Sequence, residues 1–182
     1  MAELTFQGLR ESFKTFRNSL MVSLQSMGFW QGKQFRCYRR ITAAGAGTVQ
    51  FRFVCTRDFL LTAQQLYCDD GRVEVQIFTG ATPSGVWTPI STTNAKNRIG
   101  AAASYVNLNV PEAGGTFTGG TERELLMADS GSGQGIGLEN RLLGERGLPA
   151  GTYYFTATFP GIVNALYSFE WEELDTVAGV PV

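Results

Sequence analysis

A chain of 182 residues with 15 basic and 16 acidic side chains has room for one sizeable core and no charge surplus for a polyanion. It contains no histidine, which removes the commonest general base, the commonest metal ligand and the neutral-pH switch together. Charged residues are 17% of the chain, while 22 glycines and 13 phenylalanines suit short strands joined by tight turns.

Residues 1–32 read as an N-terminal arm and a leading strand. Leu9, Phe13, Phe16, Leu20, Leu24 and Met27 follow helical spacing. Inside that pattern Leu20, Val22 and Leu24 alternate with Met21, Ser23 and Gln25, as a strand would. The expectation is a short helix or extended arm to about residue 18 and a strand over 19–27. The apolar side chains of this arm either pack on their own domain or reach a neighbouring subunit. Leu9, Phe13, Phe16, Leu20 and Trp30 are the candidate inter-subunit contacts. Glu3, Arg10, Glu11, Lys14 and Arg17 interrupt the stretch, so it does not read as a signal peptide. No run approaches the ~20 apolar residues that span a bilayer.

A β-sandwich domain is expected over residues 33–175. Residues 34–41 alternate, with Phe35 and Cys37 turned inward and Tyr38 and Ile41 as further inward candidates. Val49, Phe51, Phe53 and Cys55 point one way in the next strand, and Gln50, Arg52 and Val54 the other. Residues 59–67 and 72–78 are further strands, the second following an Asp69-Asp-Gly71 turn. Residues 79–85 read as a loop and 86–90 as a short extended piece in which Pro89 argues against a central strand. Polar, turn-rich residues 91–100 follow. Tyr105, Val106, Leu108 and Val110 mark a strand that Pro111 is expected to end. Another strand covers 122–127, then a glycine-rich loop starts at Ser130. Residues 152–159 and 165–173 are strands, and Tyr167, Phe169 and Trp171 share the inner face of the last one. Residues 176–182 are a C-terminal tail. About eight to ten short strands without a helix after the arm point to an all-β sandwich or barrel.

No motif in this series carries chemistry. The glycines at 131, 133, 135 and 137 do not make the dinucleotide fingerprint, because Ile136 stands where the third glycine is needed. Lys14, Lys33 and Lys96 form no Ser-x-x-Lys arrangement. Glu170 and Glu172 share a strand face roughly 7 Å apart, within the spacing of inverting glycosidases, but also as expected of a wetted outer face. Asp69-Asp-Gly71 lacks the spaced oxygens of a calcium loop. Trp30, Trp87 and Trp171 could stack on sugars, with Trp87 the most exposed by its setting beside Pro89. The three cysteines, Cys37, Cys55 and Cys68, lack a C-x-x-C spacing and read as buried thiols of a reducing compartment, with a Cys37–Cys55 pair as the alternative. The expectation is a protein without catalytic residues, bound metal or cofactor.

Several short motifs in order resemble a family of tailed-bacteriophage virion proteins of head cement or decoration type. They are Gly32-Lys-Gln-Phe35, Val73-Glu-Val-Gln-Ile-Phe-Thr-Gly80, Pro89-Ile-Ser-Thr-Thr-Asn-Ala-Lys-Asn-Arg98, Leu148-Pro-Ala-Gly-Thr-Tyr-Tyr-Phe155 and Leu166-Tyr-Ser-Phe-Glu-Trp-Glu172. The resemblance covers about residues 19–174 and implies an antiparallel jelly-roll-like sandwich. It also implies a virion location, after assembly in the host cytoplasm. The function implied is structural, stabilising a capsid by inter-subunit packing, or serving in the neck, collar or tail. Its partners would be other copies of itself and the major capsid protein or neck and tail proteins, with no nucleic acid or membrane. Residues 94–98 stand where the family carries an Asn/Arg-rich loop, with Ala95 and Lys96 inserted in the pattern. Trp87, Asn94, Asn97 and Arg98 are therefore the candidate exposed loop contacts. A carbohydrate-binding module built on Trp87 is the alternative of a different kind.

Overall fold

In the computed structural model, residues 32–94, 107–130, 146–174, 176–177 and 180–181 are described. The expected arm helix, the strand at 19–27 and the glycine loop at 131–137 lie outside them, as do Tyr105 and Val106.

Strict alternation makes the first four long strands: β1 (Gln34–Ala43), β2 (Gly47–Cys55), β3 (Phe59–Asp70) and β4 (Arg72–Thr79). In β2 the side chains of Phe51, Phe53 and Cys55 are buried while those between them are half-buried on the other face. Gly71 makes the β3–β4 turn at φ +80°, and a Cβ there would lie 1.9 Å from the Ile162 carbonyl oxygen. Both the left-handed backbone and the close approach require glycine.

Short strands follow: β5 (Thr82–Ser84), β6 (Thr88–Pro89), β7 (Thr93–Asn94), β8 (Asn109–Ala113) and β9 (Thr116–Thr118). The long strands resume with β10 (Thr121–Asp129), the three-residue β11 (Arg146–Leu148), β12 (Gly151–Phe159) and β13 (Val163–Glu173). A last small hairpin joins β14 (Thr176–Val177) to β15 (Val180–Pro181).

Pairing explains the architecture. The first four long strands pair antiparallel with the last four in reverse order: β1 with β13, β2 with β12, β3 with β11 and β4 with β10. Folding that long double strand over itself gives two sheets, ordered β11-β3-β13-β1-β7 and β10-β4-β12-β2-β8-β6. This is the connectivity of an antiparallel jelly roll, the fold class expected from the sequence. Residues 80–120, at the bend of the double strand, add β7 to the edge of the first sheet and β8 and β6 to the same side of the second.

The core lies between the sheets. Trp171 is fully enclosed, with Phe53 against it at 4.8 Å between ring centres and Phe169 at 5.2 Å. Phe53 also meets Phe59 and Phe169 edge-on at 5.2 and 5.0 Å. Such pairs add roughly 0.5–1.5 kcal/mol each beyond the apolar area they bury. All three cysteines are buried free thiols, so the Cys37–Cys55 pair does not form. Burial pushes the Cys37 thiol up to about 12, against a smaller downward pull from Arg39.

Two sequence expectations are corrected. Tyr38 lies on the outer face of β1 and is 60% exposed, because Phe35, Cys37 and Ile41 already fix the opposite parity as inner. Pro111 does not end a strand: it sits inside β8, opposite Phe53 of β2. Its carbonyl accepts from the Ile90 N–H at 2.7 Å on the β6 side. The missing proline N–H faces that same side, so no ladder bond to β2 is lost.

Candidate functional site

Of the residues singled out as contacts, Leu9, Phe13, Phe16, Leu20, Trp30, Asn97 and Arg98 lie outside the described residues. Asn94 is not an exposed loop contact. It is buried in β7, where its side-chain amide donates to the Gly32 carbonyl and β7 pairs with Phe35 and Arg36 of β1. Trp87 is half-buried, clamped between two neighbours. The Arg52 guanidinium lies 4.5 Å over its ring, itself held by Glu112 at 2.6–2.7 Å. Gly115 forms the other wall, where a Cβ would come within 2.3 Å of the indole. The small two-stranded β5–β9 sheet extends this outer cluster. Phe117 packs on Tyr154 and Phe78 at 5.0 and 5.8 Å, and its backbone N–H and carbonyl both bond to Gln50.

A polar knot closes the sandwich on this side. Glu173 is 1% exposed, and one carboxylate oxygen accepts from the backbone N–H groups of Leu108 and Asn109 at 2.9 and 2.8 Å. Asn109 is fully buried: its side chain accepts from the Arg57 N–H at 3.0 Å and donates to the Arg57 carbonyl at 3.2 Å. The last turn of β13, the start of β8 and the β2–β3 turn are thereby tied together. The pair weighed as glycosidase carboxylates points elsewhere. Glu170 forms an ion pair with Arg36 across the β1–β13 ladder on the outer face.

On the opposite side the two sheets do not close on each other in the same way. There a cavity of about 430 Å³ runs between β3, β4, β10, β11 and β12. Phe53, Phe59, Phe155 and Phe169 and the rings of Tyr153 and Tyr167 make most of its wall. Folded interiors hold few voids larger than a water.

A β-bulge shapes the rim. Glu122 pairs with Phe78 and Glu124 with the next residue back, Ile77, so Arg123 is the extra residue. Outside the bulge, Leu125 and Met127 turn to the outer face, 46% and 45% exposed. At the bulge, Arg123 and Glu124 both turn to the cavity. Arg123 Nε donates to Thr79 Oγ1 at 2.9 Å, and among the described residues no carboxylate lies within ion-pair distance of its guanidinium. Deeper, the Gln64 amide nitrogen is buried without a well-formed hydrogen bond, beside the Tyr167 hydroxyl. Burial pushes the Tyr167 phenol up, with Glu124 adding to the shift. Tyr153, raised to about 12 mainly by burial, donates its hydroxyl to the Pro149 carbonyl at 2.9 Å. None of this cluster was legible from the sequence, where Arg123 and Glu124 look like ordinary surface residues of an alternating strand.

Among the described residues no three Cys, Asp or Glu side chains gather as a metal site. No protein-family model, curated protein or solved structure matches this chain.

Proposed function

We propose that this chain is a non-enzymatic structural protein of a tailed-bacteriophage virion, a head cement or decoration protein that stabilises the capsid by packing between subunits. The observation that carries the reading is where the motifs of the resemblance fall. Gly32–Phe35 leads into β1, and Val73–Thr79 lies in β4 with Gly80 just after it. Leu148–Phe155 runs from the end of β11 through its turn into β12, and Leu166–Glu172 lies within β13. The Pro89–Arg98 motif passes from β6 to β7 and then leaves the described residues. The other four serve one jelly roll, the architecture the resemblance implies. Outward apolar side chains at Tyr38, Tyr67, Leu125, Met127 and Ile162 supply surface for other copies of the chain and for a major capsid protein. The sugar-binding alternative is weakened, since Trp87 is wedged between Arg52 and Gly115. A neck, collar or tail position would use the same packing chemistry at a different address.

Purified particles from a host lysate that contains the protein provide the test. Cryo-electron microscopy is expected to find the sandwich bound on the capsid lattice with a copy number that follows capsid symmetry. Density only around the tail axis would move the protein to the neck or tail. Its absence from purified particles would sink the virion reading altogether.

A further inference from the structure

We propose that the inter-sheet cavity is a binding site for a small monocarboxylate with an aromatic body, its ring between the sheets and its carboxylate at Arg123. Three independent features converge on that ligand. The volume, about 430 Å³, lies in the range of small-molecule sites, ~300–1,000 Å³. The inner wall is built from rings of both sheets that pack on one another: Phe53, Tyr153 and Phe155 from one, and Phe59, Tyr167 and Phe169 from the other. A planar ring can stack or meet these edge-on. The polar groups are few and placed at the two ends of the space, as orientation of a ligand requires.

At the rim, the bulge turns Arg123 from the outer face to the cavity and leaves its guanidinium without a carboxylate among the described residues. Nε is taken by Thr79, which fixes the side chain and leaves the two terminal nitrogens to grip a carboxylate. Deeper in the space, the other polar group of the wall is the buried Gln64 amide, beside the Tyr167 hydroxyl. The site is independent of the virion reading and would serve in a particle or outside one.

The test is isothermal titration of the full-length protein with 2-naphthoate, 2-naphthamide and decanoate. One naphthoate per chain is expected, bound more tightly than the neutral amide. Arg123→Gln should weaken naphthoate roughly tenfold or more, the scale of a lost charge-assisted hydrogen bond, and leave the amide unchanged. Leu61→Trp, which places an indole in the space, should abolish both, and Ile77→Phe is the second filling variant should the first not fold. No naphthoate binding by the folded protein overturns the site, as does full binding by a folded filling variant. Equal affinity of Arg123→Gln and wild type removes the carboxylate assignment, and decanoate binding as tightly as naphthoate removes the aromatic one.

Discussion

The two sides of the sandwich solve the problem of sheet edges in opposite ways. On the side of β1 and β2, residues 80–120 add β7, β8 and β6, and the seam is finished with hydrogen bonds among Glu173, Asn109 and Arg57. On the side of β10 and β11 the edge is a bulged strand above a ring-lined cavity. The first side ties Glu173, Asn109 and Arg57 together by buried hydrogen bonds, with the second Glu173 oxygen left unpaired, and is specific to one partner geometry. The second leaves apolar volume and a charged rim, which gives up stability and leaves room for something else to enter.

The largest effect should come from breaking the finished seam. Asn109→Ala leaves the Arg57 N–H and carbonyl without their side-chain partner in a dry site and is expected to cost about 2–3 kcal/mol. Urea unfolding reads that loss, and a midpoint within error of wild type would mean that water replaces the amide. The opposite sign is expected across the molecule. Leu61→Phe adds bulk beside the cavity and should stabilise by about 1 kcal/mol, as cavity filling commonly does. A destabilised Leu61→Phe protein would show that the space is already filled.

The smallest effect at neutral pH, and the last to appear, is alkaline. Cys37 is raised from 9.0 to about 12 and Tyr153 from 10.0 to about 12, both chiefly by burial. Because the folded state favours the neutral thiol and phenol, stability is unaffected below about pH 9. It then falls as pH rises towards about 12, where the unfolded chain ionises first. Cys37 belongs to the shared core and Tyr153 to the cavity side, so Tyr153→Phe should remove only part of the fall in the urea midpoint. A midpoint that is flat from pH 8 to about 11 would show that both groups are solvated.

Much of the sandwich was legible because its long strands carry their own instructions. Phe51, Phe53 and Cys55, and Tyr167, Phe169 and Trp171, state their inner face by period alone. The parity that buries Trp171 also buries Glu173, but a glutamate at a strand end reads as solvent unless the N–H groups of Leu108 and Asn109 are known to wait there. The short strands β5, β6 and β7 depend on distant pairing for their existence, so residues 79–85 read as loop, 86–90 only as a short extended piece and 91–100 as turn-rich. That is also why Asn94 and Trp87 looked exposed. The bulge at Arg123 is a slip of register between β10 and β4, and no local pattern in residues 121–129 announces it.

The reversed pairing of the long strands also sets the order in which the fold can be made. At the bend, Thr79 and Thr121 meet across the shortest span of chain, whereas Gln34 must find Glu172 at the far end. Assembly is therefore expected to run as a zipper from β4·β10 towards β1·β13, each step bringing the next pair within reach. The central strand of the first sheet is β13, flanked by β1 and β3. Until it has been synthesised, β1 and β3 have no common neighbour, Phe35 lacks Trp171, and Phe53 lacks Trp171 and Phe169. A ribosome-bound chain holds that apolar surface open until β13 emerges, so slow folding is expected from the strand order itself.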